Sequence, residues 1–320
     1  MKCNTNLLTK ALLSTTLIAS STLFAAAQIS FGGEPASFRQ PTNSLRSTGA
    51  NKVIEVRPDF NPDDMQSVQV WDAQQVHVKP LIIGRTIATD INFARDAKRV
   101  TLDDGTLVYR LTVDVKGAKA NVLYYDDFFI PQNAGELYIY TPDRKKVLGK
   151  YTYETHPTHG TFATEPLPGT TAVLEYRPAL NSQEMPSILI SSVGHIFTKA
   201  TATVDPGEDH GSDDCSVNIN CQEGAEWQEQ KAGVVQMLMR QGRYLSLCSG
   251  DLLNNTSEDF TPYIISAAHC ESLSTTRKTS ESDLDQWIFT FHYEKLGCSS
   301  GSFALGRGKT MVGCDLMAFL

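Results

Sequence analysis

An all-β fold is what this sequence predicts, and three observations predict it. Apolar and polar residues alternate in one short run after another, and those runs are rich in β-branched and aromatic residues. Polar turn clusters separate them at regular spacing, and helical periodicity is nearly absent. A sandwich or barrel satisfies all three.

The 320 residues are long enough for about two domains. Lys2 and Lys10 give a positive start, residues 11–24 an apolar stretch diluted by Ser and Thr, and Ala25, Ala26 and Ala27 small residues before Gln28. Residues 1–27 therefore read as an export signal, with a retained anchor as the alternative. Residues 28–50 are rich in Gly, Pro, Ser and Asn and read as an extended leader. Strand candidates follow at 53–56, 68–71, 76–83, 105–115, 121–125, 136–140, 146–152 and 171–176. Pro131 to Gly135 supplies a turn between two of them.

Nothing in this first part carries obvious chemistry. His156 and His159 could pair on a metal, but Pro157 opposes the helix that would align them, so they read as a solvated loop. Asp126, Asp127 and the charges of 143–146 read as solvated turn residues. Residues 199–214 are polar, acidic and contain Pro and Gly, the composition of an exposed linker open to nicking near Lys199.

Charge and cysteines bound the function. A net charge of −8 argues against nucleic acid or an anionic membrane surface as the partner. After the N-terminus no apolar run reaches the roughly 18 residues that span a bilayer. Six of the seven cysteines (Cys215, Cys221, Cys248, Cys270, Cys298 and Cys314) lie in the last third. In an exported chain they read as a disulfide framework confined to one unit, which leaves 28–214 as a separate, cysteine-free unit.

That last third holds the candidate site. Residues 232–239, 243–250, 263–268 and 286–293 read as strands, and the third of these delivers His269 beside Cys270. A histidine at the end of a strand, next to a cysteine, suits the general base of a secreted serine protease. A serine hydroxyl is a weak nucleophile until an imidazole takes its proton. The plainer alternatives are a structural histidine and a zinc site from His269, Cys270 and Cys298, though no Cys-x2-Cys spacing supports zinc.

Three motifs then fall in order: Cys215-x5-Cys221 followed by Glu223-Gly224, Cys248-Ser-Gly-Asp-Leu-Leu-Asn-Asn-Thr256, and Ala267-Ala-His-Cys270. Together they resemble the bacterial lysyl endopeptidase group, secreted serine proteases of the chymotrypsin fold that cut after lysine. The resemblance covers about 215–320. More loosely, 135–143 and 160–169 resemble the pro-regions of that group.

The resemblance implies an architecture and a set of roles. A β-sandwich-like pro-region at 28–198 and the acidic linker at 199–214 would precede the first β-barrel of a trypsin-like domain at 215–320, left incomplete. His269 would be the general base and Asp315 the carboxylate that orients it. Cys248 would pair with Cys270, and Cys221 with Cys298. Cys215 would pair with a cysteine that this chain does not contain, and Cys314 has no counterpart.

The group's nucleophile sits in a Gly-x-Ser-Gly-type loop after the aspartate, and the sequence ends five residues past Asp315. The lookalike at 297–302 precedes Asp315 and carries Cys298, so it reads as a disulfide loop. The 106 residues from Cys215 to Leu320 also fall short of the roughly 200 that two barrels need.

The expectation is a secreted (extracellular or periplasmic) serine endopeptidase precursor, inactive as given, acting on proteins or peptides. It would be monomeric and use no cofactor and no metal. Asn254 and Asn255 both lie in glycosylation sequons, which a bacterial chain leaves unused. The alternative is a non-catalytic secreted β protein, either a protease remnant or a peptide-binding module.

Overall fold

A computed structural model describes residues 32–40, 52–61, 80–156, 158–198, 217–271, 279–294, 297–298 and 309–318. The strand candidate at 68–71, the first residues of the one at 76–83, the expected export signal at 1–27, the expected linker at 199–214 and Cys215 lie outside the described residues.

Eleven described strands precede residue 199. They are β1 (Val53–Val56), β2 (Leu81–Asn92), β3 (Lys98–Thr101), β4 (Leu107–Val115), β5 (Ala120–Phe129), β6 (Gly135–Tyr140), β7 (Val147–Tyr151), β8 (Phe162–Ala163), β9 (Leu167–Pro168), β10 (Thr171–Pro178) and β11 (Ser187–Ile196). After it come β12 (Val234–Gln241), β13 (Tyr244–Leu253), β14 (Tyr263–Ser266), β15 (Ile288–Phe291) and β16 (Lys309–Val312). The protein is mostly β and carries a nearly closed barrel, as an all-β trypsin-like fold requires.

Two sheets account for these strands. The first runs β1-β4-β10-β6-β7, with β3 also on β4. The second runs β16-β15-β12-β13-β2-β11-β5-β8, with β14 on β13 and β9 on β5. Period-2 alternation decides which side chains meet between the sheets. Leu111, Val113, Leu174 and Tyr176 of the first share one buried cluster with Ile83, Ile87, Leu123 and Val193 of the second.

The opposite face of the first sheet is covered by the leader. Instead of an extended leader, Ala36–Arg39 forms a 3-10 turn with Ala36 and Ser37 buried. The reason is polar. Glu175, 1 % exposed, accepts from the Ser37 backbone N–H at 2.9 Å and from the Tyr140 hydroxyl at 2.7 Å. Arg110 Nε lies 3.3 Å from the same carboxylate. A buried charge is tolerated only when paired and hydrogen-bonded, and the turn completes that set. Arg144 Nη2 then donates to the Gln40 carbonyl at 3.0 Å, closing the leader down.

The expected boundary does not divide the second sheet. β2 pairs antiparallel with β13, Leu81 opposite Leu247, Gly84 opposite Leu245 and Arg85 opposite Tyr244. Leu238, Leu245 and Ile288 from beyond the linker are buried in the same cluster as the N-terminal strands. A second, smaller core gathers Val235, Met237, Met239, Cys270, Leu284, Trp287 and Phe289. Alternation along β12 thus sends Val235, Met237 and Met239 to one core and Leu238 to the other.

The His156 to His159 segment corrects one expectation. His156 is only 9 % exposed, not solvated. Its ring stands edge-on to Phe128 at 5.0 Å, Tyr151 at 5.4 Å and Phe162 at 4.5 Å. His159 does stay exposed, stacked on Phe129 at 3.9 Å and 2.9 Å from Asp127 Oδ1. Burial pulls His156 down to about 4, because the imidazolium loses its hydration there.

The sign of the pH effect follows. A histidine lowered from 6.5 to about 4 contributes stability that is fully present above 6.5 and is lost as pH falls through 4, since the unfolded chain takes the proton first. The loss attributable to His156 is about 3 kcal/mol. Urea unfolding at pH 7, 5 and 4 should show His156→Phe losing less stability on acidification than the parent; an equal loss would contradict the assignment.

Candidate functional site

The candidate site is built on one edge of β13. Its second half, Gly250 to Leu253, pairs with β14, register Gly250–Ser266 to Leu253–Tyr263. Gly250 is needed for that approach, because a Cβ there would sit 2.8 Å from the Ile265 carbonyl oxygen and from Ile264 Cγ2. Directly after β14 the chain turns through the one-turn helix Ala268–Glu271, which carries His269.

Two restraints hold this turn. The Cys248–Cys270 disulfide ties it to β13 across a sequence separation of 22. Gln241, at the end of β12, donates from Nε2 to the carbonyls of Cys270 at 3.0 Å and Glu271 at 2.7 Å. Its Oε1 in turn accepts from Ser246 Oγ at 2.9 Å. The last carbonyls of a helix have no internal partner, so Gln241 serves as their cap. Nothing in the local sequence marks this residue; the contact is made across 29 positions.

His269 is half-buried, with Nε2 4.0 Å from Cys248 Sγ. The imidazole and the two sulfurs lie within 4.8 Å of one another, a spacing that could hold a metal. Both sulfurs are consumed in the disulfide, however, and a metal needs thiolate. Cys298, the third member of the zinc alternative, is bonded to Cys221.

Asp315 is exposed, in the coil that follows β16. Among the described residues no hydrogen bond or ion pair joins it to His269. Its charge instead lies close to the free thiol of Cys314, which burial, then Asp315 and Asp285, push up to about 12. That thiol points to the Leu284 carbonyl at 3.8 Å and packs on the smaller core. The structure therefore brings His269, Cys248 and Cys270 together and, among the described residues, joins Asp315 to none of them by a hydrogen bond or ion pair.

Beside the bridge lies a cavity of about 670 Å³, with Leu81, Trp227, Leu247, Cys248 and Tyr293 among its walls. Its polar corner is the pair Lys231–Glu294 at 2.9 Å, joined by Asn220 Nδ2 at 3.0 Å from the same carboxylate oxygen. Burial raises the Glu294 carboxyl, but hydrogen bonds from Lys231 and Asn220 outweigh it, and the group sits below its ordinary value. The Cys221–Cys298 disulfide closes the segment next to this corner.

Residues 210–318 match the family model described as lysyl endopeptidase, C-terminal domain. No curated protein and no solved structure matches the chain. The family match supports the lysyl endopeptidase group for that segment.

The Cys248–Cys270 bridge closes a short loop, and such loops contribute about 3 kcal/mol through the unfolded state. The double variant Cys248→Ser/Cys270→Ser should lose about that much in urea unfolding, with His269 the first region to gain hydrogen exchange. Unchanged stability would mean that the bridge does not hold the turn.

Proposed function

We propose that residues 215–320 are the first half of a lysine-specific serine endopeptidase and that His269 is its general base. What carries the reading is one coincidence. The segment matched to lysyl endopeptidases is the one in which a strand, a disulfide and a side-chain cap converge on a single exposable imidazole. On this reading the chain is exported by residues 1–27, residues 28–198 are the pro-region, and 199–214 is the connection where the two are cut.

The chemistry assigned to each residue is as follows. His269 takes the proton from a serine hydroxyl as it attacks the scissile carbonyl and returns it to the leaving amine. Asp315 holds the imidazole in the tautomer that leaves Nε2 free, and stabilises the imidazolium. For this Asp315 must come within hydrogen-bond reach of Nδ1. Catalytic contacts often tighten only when the site is assembled. The order His before Asp before Ser is that of the chymotrypsin type, and no Gly-x-Ser-Gly follows Asp315 in these 320 residues.

The exposed apolar residues near the site fit this reading. Leu252, Leu253, Tyr263 and Ile265 on β13 and β14 are 41, 44, 39 and 54 % exposed. Leu253, Tyr263 and Ile265 lie on one face of this pair, and exposed apolar residues grouped on one face suit a surface that takes a partner, here the serine-bearing half. The second reading, a non-catalytic secreted β protein, is favoured by one observation, that no hydrogen bond or ion pair among the described residues joins Asp315 to His269.

The 320-residue chain alone should not turn over lysyl esters. Joined after residue 320 to the serine-bearing half of a lysyl endopeptidase, it should do so, and His269→Ala should then lower kcat/KM by about 10⁴-fold or more. A joined protein that hydrolyses the ester equally well with alanine at 269 would remove His269 from the mechanism.

A further inference from the structure

Three donor atoms converge where the His269 turn meets β13. Cys248 Sγ, Cys270 Sγ and a ring nitrogen of His269 lie within 4.8 Å of one another, and His269 Nε2 is 4.0 Å from Cys248 Sγ. With Zn–S about 2.3 Å and Zn–N about 2.0–2.1 Å, neighbouring ligand atoms of a tetrahedral zinc stand about 3.6–3.8 Å apart. The imidazole therefore already stands close to the distance from Cys248 that a shared zinc would set. What the disulfide withholds is thiolate, the form of sulfur that binds metal.

Two restraints that use no sulfur keep these donors gathered when the bridge opens. β13, which carries Cys248, is held by β12 from Tyr244 to Asp251 and by β14 from Gly250 to Leu253. The turn is held by Gln241 Nε2, which donates to the carbonyls of Cys270 at 3.0 Å and Glu271 at 2.7 Å, and by Thr279 Oγ1, which donates to the same Glu271 carbonyl. The bridge is also reachable from one side. Cys248 is half-buried and forms part of the wall of the 670 Å³ cavity, whereas Cys270 is 2 % exposed.

We propose that reduction of the Cys248–Cys270 bridge turns this corner into a zinc site of two thiolates and one imidazole, so that bridge and metal are alternative clasps on the His269 turn. A small dithiol supplies the electrons from the cavity side. Its first thiolate attacks Cys248 Sγ and forms a mixed disulfide, while the electron pair of the broken S–S bond leaves on Cys270. Its second thiolate attacks the reductant's own sulfur in that mixed disulfide, closes a cyclic disulfide and releases the Cys248 thiolate. Zn²⁺ then takes both sulfurs and His269 Nε2, and any proton on either thiol leaves as it binds. Among the described residues no further His, Cys, Asp or Glu joins the three, so solvent completes the coordination. The metal would occupy the lone pair that accepts a serine proton; that consequence alone rests on the protease reading, and the test uses no activity.

The test is a Co²⁺ titration of the full chain, oxidised and after reduction by a phosphine that is then removed under anaerobic conditions. The oxidised chain should show no thiolate–Co²⁺ absorption. The reduced chain should develop the visible absorption of a tetrahedral thiolate site, and Zn²⁺ should erase it. Cys221→Ser/Cys298→Ser should keep the signal, Cys248→Ser should abolish it, and His269→Ala should weaken binding at least about tenfold. No tetrahedral signal in the reduced chain, whether or not it stays folded, would overturn the proposal. So would equally tight binding with alanine at 269, or a signal that Cys221→Ser/Cys298→Ser removes and Cys248→Ser keeps. Binding seen only when the amides of Met237 to Gln241 exchange like a loop would also overturn it, because the metal would then sit on an unfolded chain.

Discussion

Strand β13 is the constraint on which the rest of the structure depends. It is paired to β12 from Tyr244 to Asp251, to β14 over the half that leads to His269, and to β2 over the other half. Its neighbour β12 feeds two cores by simple alternation, so neither core can form fully unless β12 and β13 are sandwiched. A shift of one residue in that register would exchange the two sets of side chains. The position of His269, the Cys248–Cys270 bridge and the burial of the N-terminal unit therefore rest on one strand register.

The site shows how local geometry is secured at a distance. The helix that carries His269 is one turn long, too short to be stable by itself. It is held instead from outside, by the disulfide to β13 and by the Gln241 amide on its last two carbonyls. Gln241 is in turn fixed by Ser246 across the β12–β13 hairpin. Rigid support of this kind would suit the general-base role proposed for His269, since proton transfer depends on a fixed approach.

Much of the fold was legible in the sequence, because strands that alternate identify themselves. β1, β4, β5, β6, β7, β10, β12, β13, β14 and β15 each overlap a run whose pattern is visible without the structure. β11, a central strand between β2 and β5, was not, because Ser191, Ser192 and Gly194 interrupt its apolar rhythm. The reason for Gly194 lies with Leu245, about fifty residues downstream, whose Cδ1 would lie 2.8 Å from a Cβ there. The leader turn was hidden likewise, since its cause is a buried carboxylate at Glu175. His156 looked solvated beside Pro157, and its burial depends on three aromatic residues from other strands. At the site, His269 and its bridging cysteines were legible as a motif. Gln241 was not, and the spatial relation of Asp315 to His269 could not be read from its place in the chain.

A cross-link at the observed β2–β13 register tests the shared sheet most directly. Arg85 and Tyr244 are opposite one another, with the guanidinium 5.5 Å from the ring centroid. Directly opposed positions in an antiparallel pair have Cβ atoms about 4.5–5.5 Å apart, close enough to relax into a disulfide. On mild oxidation the double variant Arg85→Cys/Tyr244→Cys should yield that peptide pair by mass spectrometry, while Arg85→Cys/Leu245→Cys should not. Bridging in the shifted pair, or in neither, would contradict the shared sheet.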